Sequence, residues 1–325
     1  MKLSIITVNY RAWRHIQSAL ESLQPDFPED WEIIIVDNET DRSELAQYQR
    51  LFPWATMIPN PKNSGFGYGC IIGVEHASGE QLLFMNPDVI ATVADIRALI
   101  AEKAAHPDVA VISPNQVGAN GKPQKVFDEF PELLNQSKII KVLMRVIRPG
   151  RKPDPRASYD ELVYCDWVTG SFLLIDRTDY EKIGGWCSDY WMYSEDADLC
   201  KRADDAGLKT AFTPTVQVIH AHGGSSRINV AVKAMTKLEV IISKHVYAKN
   251  HFQGVKRWIV HLLIAAFRLP GLLALSFADL LTFRRIATLN VRSKMLAGLV
   301  RYYAGVARTG SWLSPRAKAN RPAQA

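Results

Sequence analysis

Apolar positions along the first part of the chain fall into two alternating rhythms. Short β-branched runs occur at 3–8 (LSIITV), 31–37 (WEIIIVD), 56–59 (TMIP), 81–85 (QLLFM) and 109–113 (VAVIS). Between them, 12–23, 42–51, 66–77 and 93–105 have helical character. Strands alternating with helices of this length predict βαβ units and a mostly parallel sheet. The strand runs are apolar at successive positions, which predicts helices covering both faces.

The pattern loosens at 114–123 (PNQVGANGKP). An amphipathic helix is predicted over 137–148, with Lys138, Lys141, Arg145 and Arg148 on one face, followed by a loop at 149–156. A strand is expected over 168–176, a helix from about Glu195 to Gly207, and a strand over 216–220. Beyond about 228 the pattern is helical. Its most apolar pieces, 258–267 and 271–283, are separated by Arg268-Leu269-Pro270 and interrupted by His261 and Asp279. Neither piece alone reaches the roughly 18–20 residues that cross a bilayer. The expectation is a helix lying in the membrane interface; packed core helices or a re-entrant or spanning hairpin are the alternatives. The last dozen residues are expected to be disordered. Two domains are predicted, 1–229 and 230–325.

Composition sharpens this division. The chain has 325 residues and a net charge of +6, but 230–325 holds 16 Lys and Arg against only Glu239 and Asp279. The remainder has 23 basic and 31 acidic residues. An acidic body with a basic extension points to a polyanion at the extension, either nucleic acid or anionic lipid. Cys70, Cys165, Cys187 and Cys200 form no CxxC pair and suggest reduced thiols rather than a zinc or disulfide framework. The opening residues show no signal-peptide pattern.

Candidate chemistry sits at the strand ends. The run LLFM stops at Asn86-Pro87-Asp88. A carboxylate there costs desolvation unless water, a cation or a donor meets it, and the carboxyl ends of strands form the ligand crevice of open α/β sheets. A metal or phosphate site and an ordinary turn both remain open. Asp37 ends the second strand, where it could hold a ribose or base, or simply form an Asx-turn. Gly65, Gly67, Gly69 and Gly73 surround a helix start, where free N–H groups attract phosphate. Glu195, Asp196 and Asp198 open a helix. The helix dipole favours acids there, yet Trp186, Tyr190, Trp191 and Tyr193 precede them like a sugar-stacking wall, which suits a general base. His220 and His222 end a strand, where imidazole is either solvated or a metal ligand.

Taken in order, SIITVNY, IIIVDN, NSGFGYG, LFMNPDV, GSFLLIDR, GGW…YSEDADLCKRADDAG and VIHAHGGSS resemble the inverting family 2 glycosyltransferases of the GT-A fold, with bacterial rhamnosyltransferases as the subgroup. The resemblance spans about residues 3–228. It implies an α/β fold, a Rossmann-like mostly parallel sheet flanked by helices, with a C-terminal basic helical extension. It implies that Val8, Tyr10, Asp37, Asn63, Gly65, Asn86 and Asp88 line the nucleotide-sugar site, and that Asp88 binds Mg2+ or Mn2+ with His220. Asp196 would be the general base, with Glu195 beside it. Trp167, Gly170, Trp191 and Tyr193 would face the acceptor. The implied reaction moves a sugar, rhamnose in much of the subgroup, from a nucleoside-diphosphate sugar to a lipid-linked saccharide. The place is the cytoplasmic side of the cell membrane, with the protein peripheral on an anionic surface.

The chain departs from that pattern at Ile71, where members often carry Asn, and at Trp186-Cys187-Ser188, where they often carry Phe-Asp-Glu. Both positions bear on sugar and acceptor identity. QGVKRW at 253–258 differs by one residue from the QxxRW of processive relatives. A nucleotidyltransferase would want a glycine-rich basic loop after the first strand, and VNYRAWRH contains no glycine. A non-catalytic polyanion binder would explain the basic extension, but its aliphatic runs contain no recognisable nucleic-acid module, so no nucleic-acid partner is expected.

Overall fold

The computed structural model describes residues 2–133, 147, 152–221 and 229–318. The predicted helix at 137–148, apart from Ile147, and His222 therefore lie outside the described residues. The chain divides into two compact units. One draws on Met1–Phe130, Lys152–Cys187 and Glu195–Gly224, the other on Pro131–Arg151, Ser188–Ser194 and Ser225–Ala325.

The first unit is built on β1 (Leu3–Asn9), β2 (Trp31–Asp37), β3 (Thr56–Pro59), β4 (Gln81–Met85), β5 (Val89–Ile90), β6 (Val109–Val117), β7 (Phe127–Asp128), β8 (Val163–Cys165), β9 (Trp167–Val168), β10 (Phe172–Asp176) and β11 (Lys209–His220). Its helices are α1 (Trp13–Leu23), α2 (Leu45–Leu51), α3 (Phe66–Glu75), α4 (Val93–Ala105), α5 (Arg177–Lys182) and α6 (Glu195–Asp205). Among the described residues the main sheet has nine strands, in the order β3-β2-β1-β4-β10-β6-β11-β5, with β8 on β11. β1 to β4 are parallel, β10 runs against both its neighbours, and β6 and β11 are again parallel.

Strand periodicity explains why this sheet is covered on both sides. Leu3, Ile5, Ile33, Ile35 and Leu83 pack with Ile16 and Leu20 of α1 and Ile96 and Leu99 of α4. Ile6, Val8, Leu82 and Phe84 pack with Cys70 of α3 and Leu199, Cys200 and Ala203 of α6. Each run is apolar throughout because alternate side chains enter different cores. α3 lies close to the strands because it carries glycines. A Cβ at Gly73 would come within 2.5 Å of Ile6, and one at Gly69 within 2.8 Å of Val8. α4 starts where the sequence supplies a capping box, Thr92 with Asp95.

Three strand expectations are corrected. The run 168–176 is not one strand: β9 pairs with β7, β10 pairs with β4 and β6, and Thr169-Gly170-Ser171 carries the chain between the two sheets. β11 begins at Lys209 rather than 216, since its first part pairs with both β6 and β8. β6 likewise runs to Val117, because β11 offers it a partner over the stretch that looked irregular.

The second unit contains α7 (Val230–His251), α8 (Gly254–Leu281), α9 (Ala287–Thr309) and α10 (Pro315–Lys318). The break expected at Pro270 is absent. α8 is one 28-residue helix with Pro270 inside it. Proline forfeits one helical hydrogen bond, and burial of Ile264 and Leu272 on either side carries the helix across. His261 and Asp279 do not interrupt it, because both lie on its buried side. His261 stacks on Trp312 at 3.7 Å and meets His245 Nδ1 to Nδ1 at 2.9 Å. Burial holds both imidazoles neutral, pulling His245 down to about 3 and His261 to about 4. Ser293 donates to Asp279 at 2.7 Å.

The terminal expectation is also corrected in part. α10 is ordered because Arg316 reaches the fully buried Glu239 at 3.4 Å, with its guanidinium 5.1 Å from the Trp191 ring centre.

Candidate functional site

The carboxyl ends of the strands gather the candidate residues of the first unit. β4 ends at Met85, and the next two turns of chain are fixed from both sides: the Asn86 N–H donates to the Ser171 carbonyl at 2.8 Å, and the Val89 N–H donates to Asn86. β5 then pairs antiparallel with the end of β11, His220 opposite Val89. The Ala221 N–H donates to the Asp88 carbonyl at 2.9 Å, which closes the junction. This pairing brings Asp88 Oδ1 to 3.3 Å from His220 Nε2, with little of either side chain exposed. The carboxylate behind the proline is thus met by an imidazole from the far end of the sheet.

That donor pair fits a divalent cation. One hard oxygen and one borderline nitrogen suit Mn2+ or Mg2+ completed by phosphate oxygens and water. Among the described residues no cluster of three or more such side chains occurs, so a nucleotide diphosphate would have to supply much of the shell.

Behind His220 lies a polar group that sequence reasoning missed. Gln116 Oε1 is 2.8 Å from His220 Nδ1 and accepts from Ser171 Oγ at 2.9 Å. Thr169 and Ser171 exchange a hydroxyl hydrogen bond at 2.8 Å. Between them, the Gly170 N–H donates to Asp196 Oδ2 at 3.2 Å. One tripeptide therefore touches both the Asp88–His220 pair's support and the candidate base. Gly170 packs closely here: a Cβ would lie a tight 3.2 Å from Trp186 and 3.3 Å from Phe66.

Asp196 stands in the first turn of α6, and Tyr193 and Ser194 turn the chain into that helix with φ values of 72° and 64°. For non-glycine residues such values are strained. Asp196 also accepts from the Ala197 N–H at 2.8 Å. Burial dominates and pushes its carboxyl above the ordinary aspartate range, with the Ala197 and Gly170 N–H groups opposing. Some of its surface remains accessible. Glu195 beside it is buried, its side-chain carbons close to Gly67. The remaining acid of this turn is structural. Asp198 pairs with Arg202 at 2.8 Å, and Arg202 also donates to the Ile183 carbonyl, tying α6 to the Gly184-Gly185 turn.

A second cluster surrounds Asp37. Asn9 Nδ2 donates to Asp37 Oδ1 at 2.7 Å, and so does the Glu39 N–H at 3.2 Å, an Asx-type turn. Asp37 Oδ2 has no hydrogen-bond partner among the described residues, and burial raises this carboxyl's pKa. Asn38 donates to the Gly65 carbonyl at 2.9 Å and accepts from Asn60 at 2.7 Å. The Gly65 N–H donates to Asn63 Oδ1, and Gly65 has φ 86°, open to glycine at no steric cost. Asp37, Asn63 and Gly65 are thereby held in one network. Asn38 and Asn60 complete it, and their only sequence signal is an amide at each strand end. Val8 is packed against α3 at Gly69, and Tyr10 is partly exposed beneath the Arg11 guanidinium.

The aromatic wall is corrected. Trp186 is a core residue, edge-on to Phe66 and Phe84, and Tyr190 and Trp191 are likewise buried. Only Tyr193 of the four keeps partial exposure. Tyr190, Trp191 and Tyr193 belong to the second unit. Trp167 donates its indole N–H to the Glu129 carbonyl at 2.9 Å.

The mixed, parallel-rich sheet with helices on both faces has the GT-A fold of glycosyltransferases. The chain belongs to glycosyl transferase family 2, whose model, "Glycosyl transferase family 2", matches residues 4–198. It is similar to rhamnosyltransferase WbbL of Escherichia coli, 28% identical over 66% of this chain and 82% of that one. It is also similar to the N-acetylglucosaminyl-diphospho-decaprenol L-rhamnosyltransferase of Mycobacterium tuberculosis, 25% identical over 67% and 75%. Among solved structures, the Pyrobaculum calidifontis mannosyltransferase in complex with GDP-Man and Mn2+ aligns with TM-score 0.51 at 14% identity, over 92% of this chain and 86% of that one. GalNAc-T7 with UDP, GalNAc and Mn2+ aligns with TM-score 0.53 at 14% identity, over 77% of this chain and 50% of that one.

The raised Asp196 carboxyl has a sign that can be read. A carboxyl raised on folding binds more protons in the native state than in the unfolded one, so its ionisation lowers stability above its folded pKa and has no effect below its unfolded one. Asp196→Asn removes that cost and forfeits one acceptor, a loss of about 1 kcal/mol. The difference in Tm, variant minus wild type, is expected to be most favourable near pH 8 and to decline on acidification towards pH 4. A difference independent of pH in thermal scans would refute the raised carboxyl.

Proposed function

We propose that this glycosyltransferase moves a sugar, rhamnose for preference, from a nucleoside-diphosphate donor to a polyprenyl-diphosphate-linked saccharide, inverting the anomeric carbon. The observation that carries the proposal is the Thr169-Gly170-Ser171 segment. It contacts Asp196 on one side and the support of the Asp88–His220 pair on the other. The transferred sugar follows the names of both rhamnosyltransferase relatives, and the acceptor class follows the name of the Mycobacterium tuberculosis one.

In this reading Asp37, Asn63 and Gly65 hold the nucleoside, with Val8 and Tyr10 at its edge. Asn86 fixes the turn that presents Asp88, and Asp88 and His220 would hold Mn2+ or Mg2+. When bound, that ion supplies positive charge where the departing diphosphate gains negative charge. Asp196 accepts the proton of the acceptor hydroxyl as its oxygen bonds to the anomeric carbon. The bond to the diphosphate oxygen breaks on the opposite face, and its electron pair leaves with the nucleoside diphosphate. Glu195 supports Asp196 in the same turn. Gly170 contributes the N–H that holds Asp196, and Trp167 would face the acceptor. Trp191, buried under Arg316, packs rather than stacks on sugar.

The second unit would bring the enzyme to its acceptor. α8 is long and apolar enough to cross a membrane by length and composition. At 1.5 Å per residue it extends about 42 Å, beyond the roughly 30 Å hydrocarbon core. One side, with Val260, Ile264, Leu272 and Ser276, is buried in the unit. The other exposes Trp258, Leu262, Leu273, Phe277 and Leu281, and Phe283 follows at 82% exposure. Lys256, Arg268, Arg284 and Arg285 are exposed around this strip. A helix with one side committed to protein and the other apolar, with cations at its flanks, suits an anionic membrane interface. The enzyme would sit peripherally on the inner face of the cell membrane, in polysaccharide or cell-wall assembly.

Two experiments test these readings. With nucleotide sugars and polyprenyl-linked acceptors, Asp196→Asn is expected to lose about 10²–10⁴-fold in turnover while donor binding survives. Asp88→Ala is expected to weaken donor binding in Mn2+ but not in EDTA. Loss of donor binding in Asp196→Asn would reject the base assignment. In the second, the protein is expected to co-sediment with phosphatidylglycerol vesicles more than with phosphatidylcholine, less so at high salt, and less again in Leu262→Glu/Phe277→Glu. Equal binding by wild type and the double variant would remove α8 from the interface.

A further inference from the structure

We propose that Gln116 is a positioning residue that fixes His220 in its Nδ1–H tautomer and so aims the Nε2 lone pair at a cation shared with Asp88. The inference rests on the Asp88–His220 cation reading and adds to it the residue that sets the ligand's state. Gln116 is 2% exposed, near the end of β6 and paired in register with Val218 of β11. Its carbonyl oxygen lies 2.8 Å from His220 Nδ1 and 2.9 Å from Ser171 Oγ, and its amide nitrogen donates to Thr169 Oγ1 at 3.4 Å.

An amide oxygen only accepts, so Nδ1 must carry the proton in this arrangement. In neutral imidazole the other nitrogen then has a lone pair, and it is Nε2 that faces Asp88 at 3.3 Å. That spacing is longer than the roughly 2.7–2.9 Å of a charge-assisted N–H···O bond. In the neutral ring it sets the Nε2 lone pair beside Oδ1, where the two can share a cation. The reversed amide would offer N–H to Nδ1 and place Nε2–H against Asp88, which makes a closed hydrogen-bonded pair with no site for a metal. Amide orientation, a choice between two isosteric atoms, thus separates a ligand pair from a structural one. A histidine ligand held through its second nitrogen is the common way of setting tautomer and ring direction, and losing that support typically costs 10–100-fold in metal affinity.

The hydroxyls of Thr169 and Ser171 extend the arrangement. They hold the amide group in place, and the peptide between them contacts Asp196. A change at Gln116 should therefore be felt first at His220.

The decisive measurement is the ¹⁵N spectrum of histidine-labelled, metal-free protein, with His220 assigned by its loss in His220→Gln. Wild type is expected to show Nδ1–H at His220, which requires no variant to fold. Gln116→Glu, which keeps an acceptor, is expected to preserve that tautomer and bind Mn2+ like wild type. Gln116→Leu is expected to lose the tautomer preference and 10–100-fold in Mn2+ affinity, read by paramagnetic resonance of free Mn2+. Nε2–H in wild type overturns the proposal, and so does wild-type Mn2+ affinity in Gln116→Leu when Asp88→Ala has lost it. Should wild type show Nδ1–H yet bind no Mn2+, or Asp88→Ala bind it normally, the cation reading falls and the aiming role with it.

Discussion

The site depends on one burial problem: a carboxylate at the end of an apolar strand. β4 is buried along its length, and Asp88 follows only three residues after Met85. Leaving a charge there without a partner would cost several kcal/mol. The fold answers by pairing β5 with the end of β11, so that His220 arrives beside Asp88 and the Ala221 N–H closes the backbone. That short pairing is the sheet's outermost one, and the order of the strands in between, β10, β6 and β11, is what makes it reachable. The insertion of antiparallel β10 between β4 and β6 has a second effect. It brings Ser171 to Asn86 and Gln116, so the same strand start braces the acid and its imidazole.

Much of the strand–helix alternation was legible because each rhythm is set locally. α4 begins at a capping box and runs over the predicted 93–105, and α6 begins at Glu195. The failures have a common cause, which is partner-dependent structure. β8, the first part of β11 and the last part of β6 are strands because other strands lie beside them, and KTAFTPT alone carries little sign of it. Pro270 was read as a break because propensity argues so; packing at Ile264 and Leu272 overrode it. The aromatic residues before α6 were read as a sugar platform, whereas Trp186 fills the space between Phe66 and Phe84. Large rings serve cores more often than surfaces.

Site residues divide in the same way. Asp37, Asp88, Asp196 and His220 stand at ends of strands or helices, and a charged residue at such a place is visible in a sequence. Gln116, Thr169 and Ser171 sit within or beside strands and carry no charge, so no pattern marks them. Asp198 and Arg202 show the converse: both look chemical in a run of acids and bases, yet they join α6 to the Gly184-Gly185 turn. Gly185 itself has φ 61°, and a Cβ there would collide with the Tyr180 ring at 2.5 Å. The acid-rich helix start thus contains the proposed base and another acid that holds the helix in place.

What separates these two acids is their partner. Asp198 has the Arg202 guanidinium as a partner. Asp196 has two backbone N–H groups, which only partly offset its burial, and so keeps a raised affinity for a proton. A proposed base with that balance gains more from accepting a proton than an exposed aspartate would. Gly170 makes the balance possible. With no side chain, its peptide can approach Asp196 between Trp186 and Phe66, supplying one hydrogen bond and little solvent. A bulkier residue would crowd both rings at the peptide that joins Asp196 to the support of His220.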